Sequence, residues 1–170
     1  TARSRGLGDV YKRQVSSRPV LKILADATPE LASQQAKALQ FEQSTEDWQE
    51  LVNHPEVDVV DITAPNHLHH PIAIAALNLG KPVYCEKPLA CTLAEAEEMA
   101  NLAKAQQIPT LVGYNYLQNP LMKTAREIVQ SGEIGEPISF RGVHAEDYMA
   151  NQLSPYTTRL DASQGGGVLY

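Results

Sequence analysis

The sequence is poor in the features that mark several common protein classes. Its 170 residues contain two cysteines, Cys85 and Cys91. They lack the spacing of a disulfide framework and suit a reducing cytoplasm better than an oxidising compartment. Aromatic residues make up 6% of the chain, and 14 Lys and Arg against 20 Asp and Glu leave a formal net charge of -6. No basic stripe is present to track a phosphate backbone, so nucleic acid is not an expected partner. No apolar run approaches the roughly 20 residues that span a bilayer, and no charged-then-apolar leader opens the chain. The expectation is a soluble, cytoplasmic protein that handles small molecules and has no membrane partner.

The opening stretch TARSRGLGDVYKRQ holds Gly6 and Gly8 but lacks the context of a phosphate-cradling loop. Such a loop needs a buried strand before its glycines, and a third glycine where Tyr11 stands here. Residues 1–14 therefore read as a leader outside the native fold, packing against nothing.

From Val20 onward strands and helices take turns. VLKILA suits a buried strand ending at Asp26. TPELASQQAKAL suits a helix capped by Thr28, with Pro29 in the first turn and Leu31, Ala32, Ala36 and Leu39 toward one face. STEDWQELV reads as a second helix capped by Ser44 or Thr45. VDVVDIT reads as a strand covered on both faces. HHPIAIAALNLG is a helix closed by Gly80, PVYCE a short strand, TLAEAEEMANLAKAQQ a helix capped at Thr92, and PTLVGY another strand. This rhythm forces crossover connections, hence a doubly wound, parallel, Rossmann-like α/β sheet, incomplete at its N-terminus. It is expected over residues 15–114. From residue 115 the rhythm changes: NPLMKTAREIVQSGEIGEP is one helix ending at Gly132, and ISFRGVHAEDYM a longer alternating strand. Residues 115–170 thus read as the start of an α+β second domain.

Lys87 follows a strand at the carboxyl edge of an open parallel sheet, where α/β proteins place ligands. Pro88 biases it away from helical backbone. An ammonium there can hydrogen-bond a hydroxyl and stabilise negative charge as an alcohol loses its proton. Asp26, at the end of the first strand, can accept both hydroxyls of an adenosine ribose and repel a 2′-phosphate. ADATPEL contains no arginine to receive that phosphate, so NAD is favoured over NADP. Thr63, Pro65 and Asn66 lie where a strand opens into its loop. His67, His69 and His70 lie on the turn into the next helix, with no converging carboxylate or thiolate set, and no metal is expected. His144, Glu146 and Asp147 read as outward, solvated residues.

Thr63, Pro65, Asn66 and His69, followed by Glu86, Lys87 and Pro88, resemble the Thr-x-Pro-Asn-x-x-His and Glu-Lys-Pro motifs of the Gfo/Idh/MocA family of NAD(P)-dependent sugar and polyol oxidoreductases. The likeness extends through VGYN, GEIGEP and GGGVLY. It implies a fragment, truncated at both ends, of an enzyme that transfers hydride between NAD and a sugar, cyclitol or related polyol hydroxyl. Lys87 would be the retained catalytic residue, also touching cofactor and substrate. Glu86 and Pro88 would shape its turn beside the cofactor, His69 and Asn115 would line the cofactor site, and Tyr114 would face substrate. The family's arginine near Leu117 is absent. Its first strand and glycine loop, and an Asp and His pair after the GGGVL turn, are also missing, so the chain as given is expected to be inactive. The resemblance further implies a homo-oligomer at full length. A non-catalytic nucleotide-binding or regulatory protein of the same fold is the alternative, because fold alone does not settle function.

Overall fold

A computed structural model describes residues 19–143, 145, 147 and 161. The expectation for residues 1–14 therefore lies outside the described residues. The chain divides into two compact units, one ending at Asp58 and one beginning at Val59.

In the first unit, strand β1 (Ile23–Ala25) leads into helix α1 (Pro29–Leu39), strand β2 (Gln43–Thr45) and helix α2 (Trp48–Asn53). The strands are parallel, with Ile23, Leu24 and Ala25 opposite Gln43, Ser44 and Thr45. Thr28 caps α1 as expected: its hydroxyl accepts from Leu31 N–H at 3.3 Å, and Pro29 opens the first turn. The inward face of α1 is narrower than its pattern suggests. Ala32 and Ala36 are buried, whereas Leu31 and Leu39 are exposed. Ile23, Val52 and Val57 complete this small core. Lys22 bridges Glu42 at 2.9 Å and Glu56 at 2.6 Å.

The expected helix over STEDWQELV is corrected at its start. Gln43–Thr45 forms β2, and the cap of α2 is Asp47, whose carboxylate accepts from Gln49 N–H at 2.8 Å. Pairing with β1 overrides the weak local preference of three polar residues, as strand propensity commonly yields to context.

In the second unit, strand β3 (Val60–Ile62), helix α3 (Asn66–Asn78), strand β4 (Val83–Cys85), helix α4 (Leu93–Gln106) and strand β5 (Thr110–Val112) alternate. All three strands are parallel in the order β3-β4-β5, with Asp61, Tyr84 and Leu111 in one row and Ile62, Cys85 and Val112 in the next. Val60, Ile62, Val83 and Cys85 are buried, and α3 and α4 add Ile72, Ala73, Ala76, Leu77, Met99 and Ala103. The other face is open among the described residues: Val59, Asp61 and Leu111 are exposed, contrary to the two-sided burial expected of VDVVDIT. Thr92 caps α4 through a reciprocal box, its hydroxyl accepting from Glu95 N–H at 3.2 Å while the Glu95 carboxylate accepts from Thr92 N–H at 2.9 Å. Gly80 closes α3 at φ +73°, a backbone conformation costly for residues with a Cβ.

Helix α3 begins three residues earlier than HHPIAIAALNLG suggests. Asn66, His67, His69 and His70 are helical rather than part of a turn or loop, and Pro65 takes the N-cap position. Pro71 lies inside the helix beyond its first turn, so the bond its N–H would have made to His67 C=O is lost. After β5, Asn115–Gln118 forms a 3-10 turn, and helix α5 (Pro120–Gln130) is capped by Asn119. The strand expected over ISFRGVHAEDYM is absent among its described residues, where Ile138, Phe140 and Val143 are exposed. Alternation encodes a capacity to pair, but a strand forms only against a neighbour. His144 and Glu146 lie outside the described residues; Asp147 is exposed, as expected.

Candidate active site

Three parallel strands end on one side of the second unit, and the residues that follow each of them form its polar edge. Thr63 and Pro65 follow β3 and are exposed, while Asn66, opening α3, is half-buried. Pro65 stands at the N-cap of α3 without a side-chain bond, and its C=O accepts from Leu68 N–H at 2.8 Å, closing the first turn.

The turn after β4 is the most constrained part of this edge. Glu86 N–H donates to Ile62 C=O at 2.9 Å, extending the ladder by one bond. Lys87 N–H donates to the Glu86 carboxylate at 3.2 Å. The Lys87–Pro88 peptide is cis, and both residues are exposed. The Glu86 carboxylate also lies over Gly113, which follows β5. A Cβ on Gly113 would come within 2.7 Å of Glu86 Oε1 and 3.0 Å of the Tyr84 hydroxyl. Glycine at 113 thus leaves the space that the supporting carboxylate fills.

After β5, Gly113 N–H donates to Cys85 C=O at 2.8 Å, and the chain turns into the 3-10 segment. Lys87, Tyr114, Asn115, Tyr116 and Leu117 line an open concavity of about 410 Å³. Tyr114 and Asn115 were expected to end a strand. They instead open the 3-10 turn, because β5 stops at Val112. Tyr116 and Leu117 were not expected in the site. Only a tight turn right after the strand brings them beside Lys87, and periodicity carries no signal for that.

His69 is 1% exposed. Its Nδ1 lies 2.8 Å from Pro88 C=O and its Nε2 2.9 Å from Ala64 C=O, so both ring nitrogens are occupied within the protein. His70, one residue on, pairs with Glu98 of α4 at 2.8 Å. Asp61 stands in the row below the site. Desolvation of its carboxyl by the groups packed around it, and then the neighbouring Glu86 charge, push it up to about 6. Burial, with Glu86 and Asp61 adding to it, pushes the Cys85 thiol up to about 12, which removes it as a nucleophile. Among the described residues no three His, Cys, Asp or Glu side chains gather as metal ligands.

In the first unit Asp26 follows β1 and is half-buried. Its N–H donates to Thr45 C=O at 3.2 Å, and its carboxylate accepts from Ala27 N–H at 2.7 Å, leaving acceptor capacity for a ligand. Taken by itself, the first unit offers a carboxylate acceptor after a strand, of the kind that meets a ribose; the second offers hydroxyl, amide and ammonium groups after its strands, of the kind that meet a nucleotide.

Comparison with known proteins agrees with that chemistry. Residues 7–114 match a family described as "Oxidoreductase family, NAD-binding Rossmann fold", and residues 122–170 match the GFO/IDH/MocA C-terminal domain. Levoglucosan dehydrogenase of Pseudarthrobacter phenanthrenivorans is 43% identical over 148 residues, covering 87% of this chain and 38% of that protein. Inositol 2-dehydrogenase of Salmonella typhimurium is 39% identical over 119 residues, covering 66% of this chain and 33% of that protein. The solved complex of levoglucosan dehydrogenase with NADH and levoglucosan superposes with a TM-score of 0.79 at 42% identity, over 88% of this chain and 40% of that one. The chain thus spans about two fifths or less of the length of these relatives. With the family match spanning both the strands that end in this site and the segment beyond them, the chain belongs to the Gfo/Idh/MocA oxidoreductases.

Proposed function

We propose that the complete protein transfers hydride between NAD and a secondary hydroxyl of a neutral sugar or cyclitol. The observation that carries this reading is the placement of Lys87, exposed on a braced turn and sharing a concavity with Tyr114, Asn115, Tyr116 and Leu117. Lys87 is the charged group of that lining, and the remaining residues offer hydroxyl, amide and apolar surface. Such a lining suits an uncharged ring with hydroxyl groups on an otherwise apolar skeleton.

The nicotinamide, when bound, supplies the hydride acceptor. Asp26 would hold the adenosine ribose and discriminate against NADP. Thr63, Pro65 and Asn66, with the start of α3, would face the cofactor along the β3 exit, and Glu86, Pro88 and Asn115 would flank it. Lys87 Nζ would donate to the reacting oxygen, lowering the cost of its negative charge as the hydroxyl proton departs. Tyr114 would orient the ring. The names of the relatives support this substrate class, among them 1,5-anhydro-D-fructose reductase of Ensifer adhaerens, 39% identical over 121 residues.

A nucleotide domain over residues 15–114 and a second domain from 115 belong to the same proposal, supported by family matches that end at 114 and resume at 122. Exposed Ile138, Phe140 and Val143 offer apolar surface to the rest of the protein or to a second copy in a homo-oligomer. Among the described residues no helix is long and apolar enough to cross a membrane. The free thiols Cys85 and Cys91 support a cytoplasmic setting.

The test is an assay of the complete gene product with NAD against levoglucosan, myo-inositol and a panel of aldoses, following NADH absorbance. Steady NADH formation with at least one of them is expected. Tight NAD binding without turnover on any polyol would favour a nucleotide-binding protein without catalysis.

A further inference from the structure

We propose that His69 is the positioning residue of this site: from the first turn of α3 it ties the backbone after β3 to the backbone after β4, and so fixes where Lys87 stands. The inference rests on the role proposed above for Lys87. Among the described residues, His69 is one of the largest fully buried side chains and the buried polar one. Its ring spans 2.8 Å to Pro88 C=O and 2.9 Å to Ala64 C=O. Both partners are acceptors only, so each bond needs an N–H on the ring. A ring with one proton donates to one exit at a time, and its two tautomers select between the two carbonyls.

The two carbonyls belong to the loops that carry the candidate ligand-binding groups. Ala64 lies between Thr63 and Pro65 at the β3 exit, and Pro88 immediately follows Lys87. The Lys87–Pro88 turn lies outside the ladder, so strand pairing does not set its position. Within the turn, Glu86 braces the Lys87 N–H side, and His69 braces the Pro88 C=O side from another element. With both nitrogens occupied and the ring buried, His69 acts on ligands only through these two loops. Lys87 itself is exposed, so its aim depends on the backbone beneath it.

A double-mutant cycle in the complete gene product tests this. His69→Ala should lower kcat about tenfold or more, because displacement of a reacting group by about 1 Å is sufficient for losses up to a hundredfold. KM for the sugar and Kd for NADH should stay within about threefold. His69→Gln, which keeps one donor, should recover part of kcat. In a Lys87→Ala background the same His69 substitutions should cost less than about twofold, since the residue they position is gone. Equal losses in both backgrounds, an unchanged kcat, or a change confined to KM or NADH affinity would overturn the proposal. If His69→Ala does not fold, His69→Gln carries the cycle.

Crystal structures of the variants give a readout independent of turnover. Displacement of the Lys87–Pro88 backbone with β4 and α3 in place supports the clamp, and an unmoved turn overturns it. A protein that turns over no sugar, or in which Lys87→Ala has no effect, would defeat the functional reading, while the displacement in the variant structure would still decide the clamp.

Discussion

The ends of β1 and β4 carry the two charged groups on which the functional reading depends, and they are held in different ways. Asp26, after β1, is fixed by near neighbours: its carboxylate turns back on Ala27 N–H, and one ladder bond joins it to Thr45. Lys87, after β4, stands on a turn gripped from outside the strand by the Glu86 carboxylate beneath it and His69 of α3 behind it. A ribose-binding carboxylate tolerates small shifts, because hydroxyls can follow it. A group that meets a reacting oxygen does not, and its supports come from several elements.

The largest break in this comparison is Lys87→Ala in the complete protein. It should lower kcat/KM about a hundredfold or more with the fold intact, as expected for loss of a positioned charge or proton-transfer partner. Steady-state kinetics against a thermal melt separates the two effects. Asp26→Ser acts at the other end and should narrow the preference for NAD over NADP by about tenfold, leaving kcat with saturating NAD nearly unchanged. Comparing kcat/KM for the two cofactors measures it, and equal affinities in the unmutated protein would count against the assignment.

Gly113→Ala sharpens the contrast without touching either charged residue. Its Cβ would displace the flexible Glu86 carboxylate and weaken its bond to Lys87 N–H. Loss of one such bond, about 0.5–1.5 kcal/mol, corresponds to about a two- to twelvefold fall in kcat. Stability should change little, since the side chain met first can swing away.

The smallest effect concerns Asp61. Its carboxyl titrates at about 6 in the fold against an ordinary value of 3.8, so the folded state binds the proton more tightly. Stability should therefore decline as pH climbs from about 4 through about 6. Asp61→Asn should flatten that slope and raise Tm above pH 7 by a degree or two, a modest figure because the side chain remains exposed. A series of melts between pH 4 and 8 reads it.

Much of this arrangement was legible in the sequence wherever local chemistry decides. Thr28 before Pro29, and Thr92 before Glu95, announce helix starts that the structure keeps. Glu-Lys-Pro after a short apolar run marks the turn at the β4 exit. The strand β2 was not legible, because Gln43, Ser44 and Thr45 have no strand pattern and pair only because β1 is beside them. Nor were the supports of Lys87. Three histidines within four residues say nothing of which one turns inward until α3 begins at Asn66 and sets the phase. Gly113 looks like an ordinary loop glycine until the Glu86 carboxylate is found in the space a Cβ would fill.

The most direct measurement is the crystal structure of the complete protein with NADH and a sugar it oxidises. The account predicts Lys87 Nζ within hydrogen-bond reach, about 2.6–3.2 Å, of the hydroxyl oxygen on the carbon that gives up hydride. A Lys87 side chain turned to solvent, with another group on that oxygen, would contradict it.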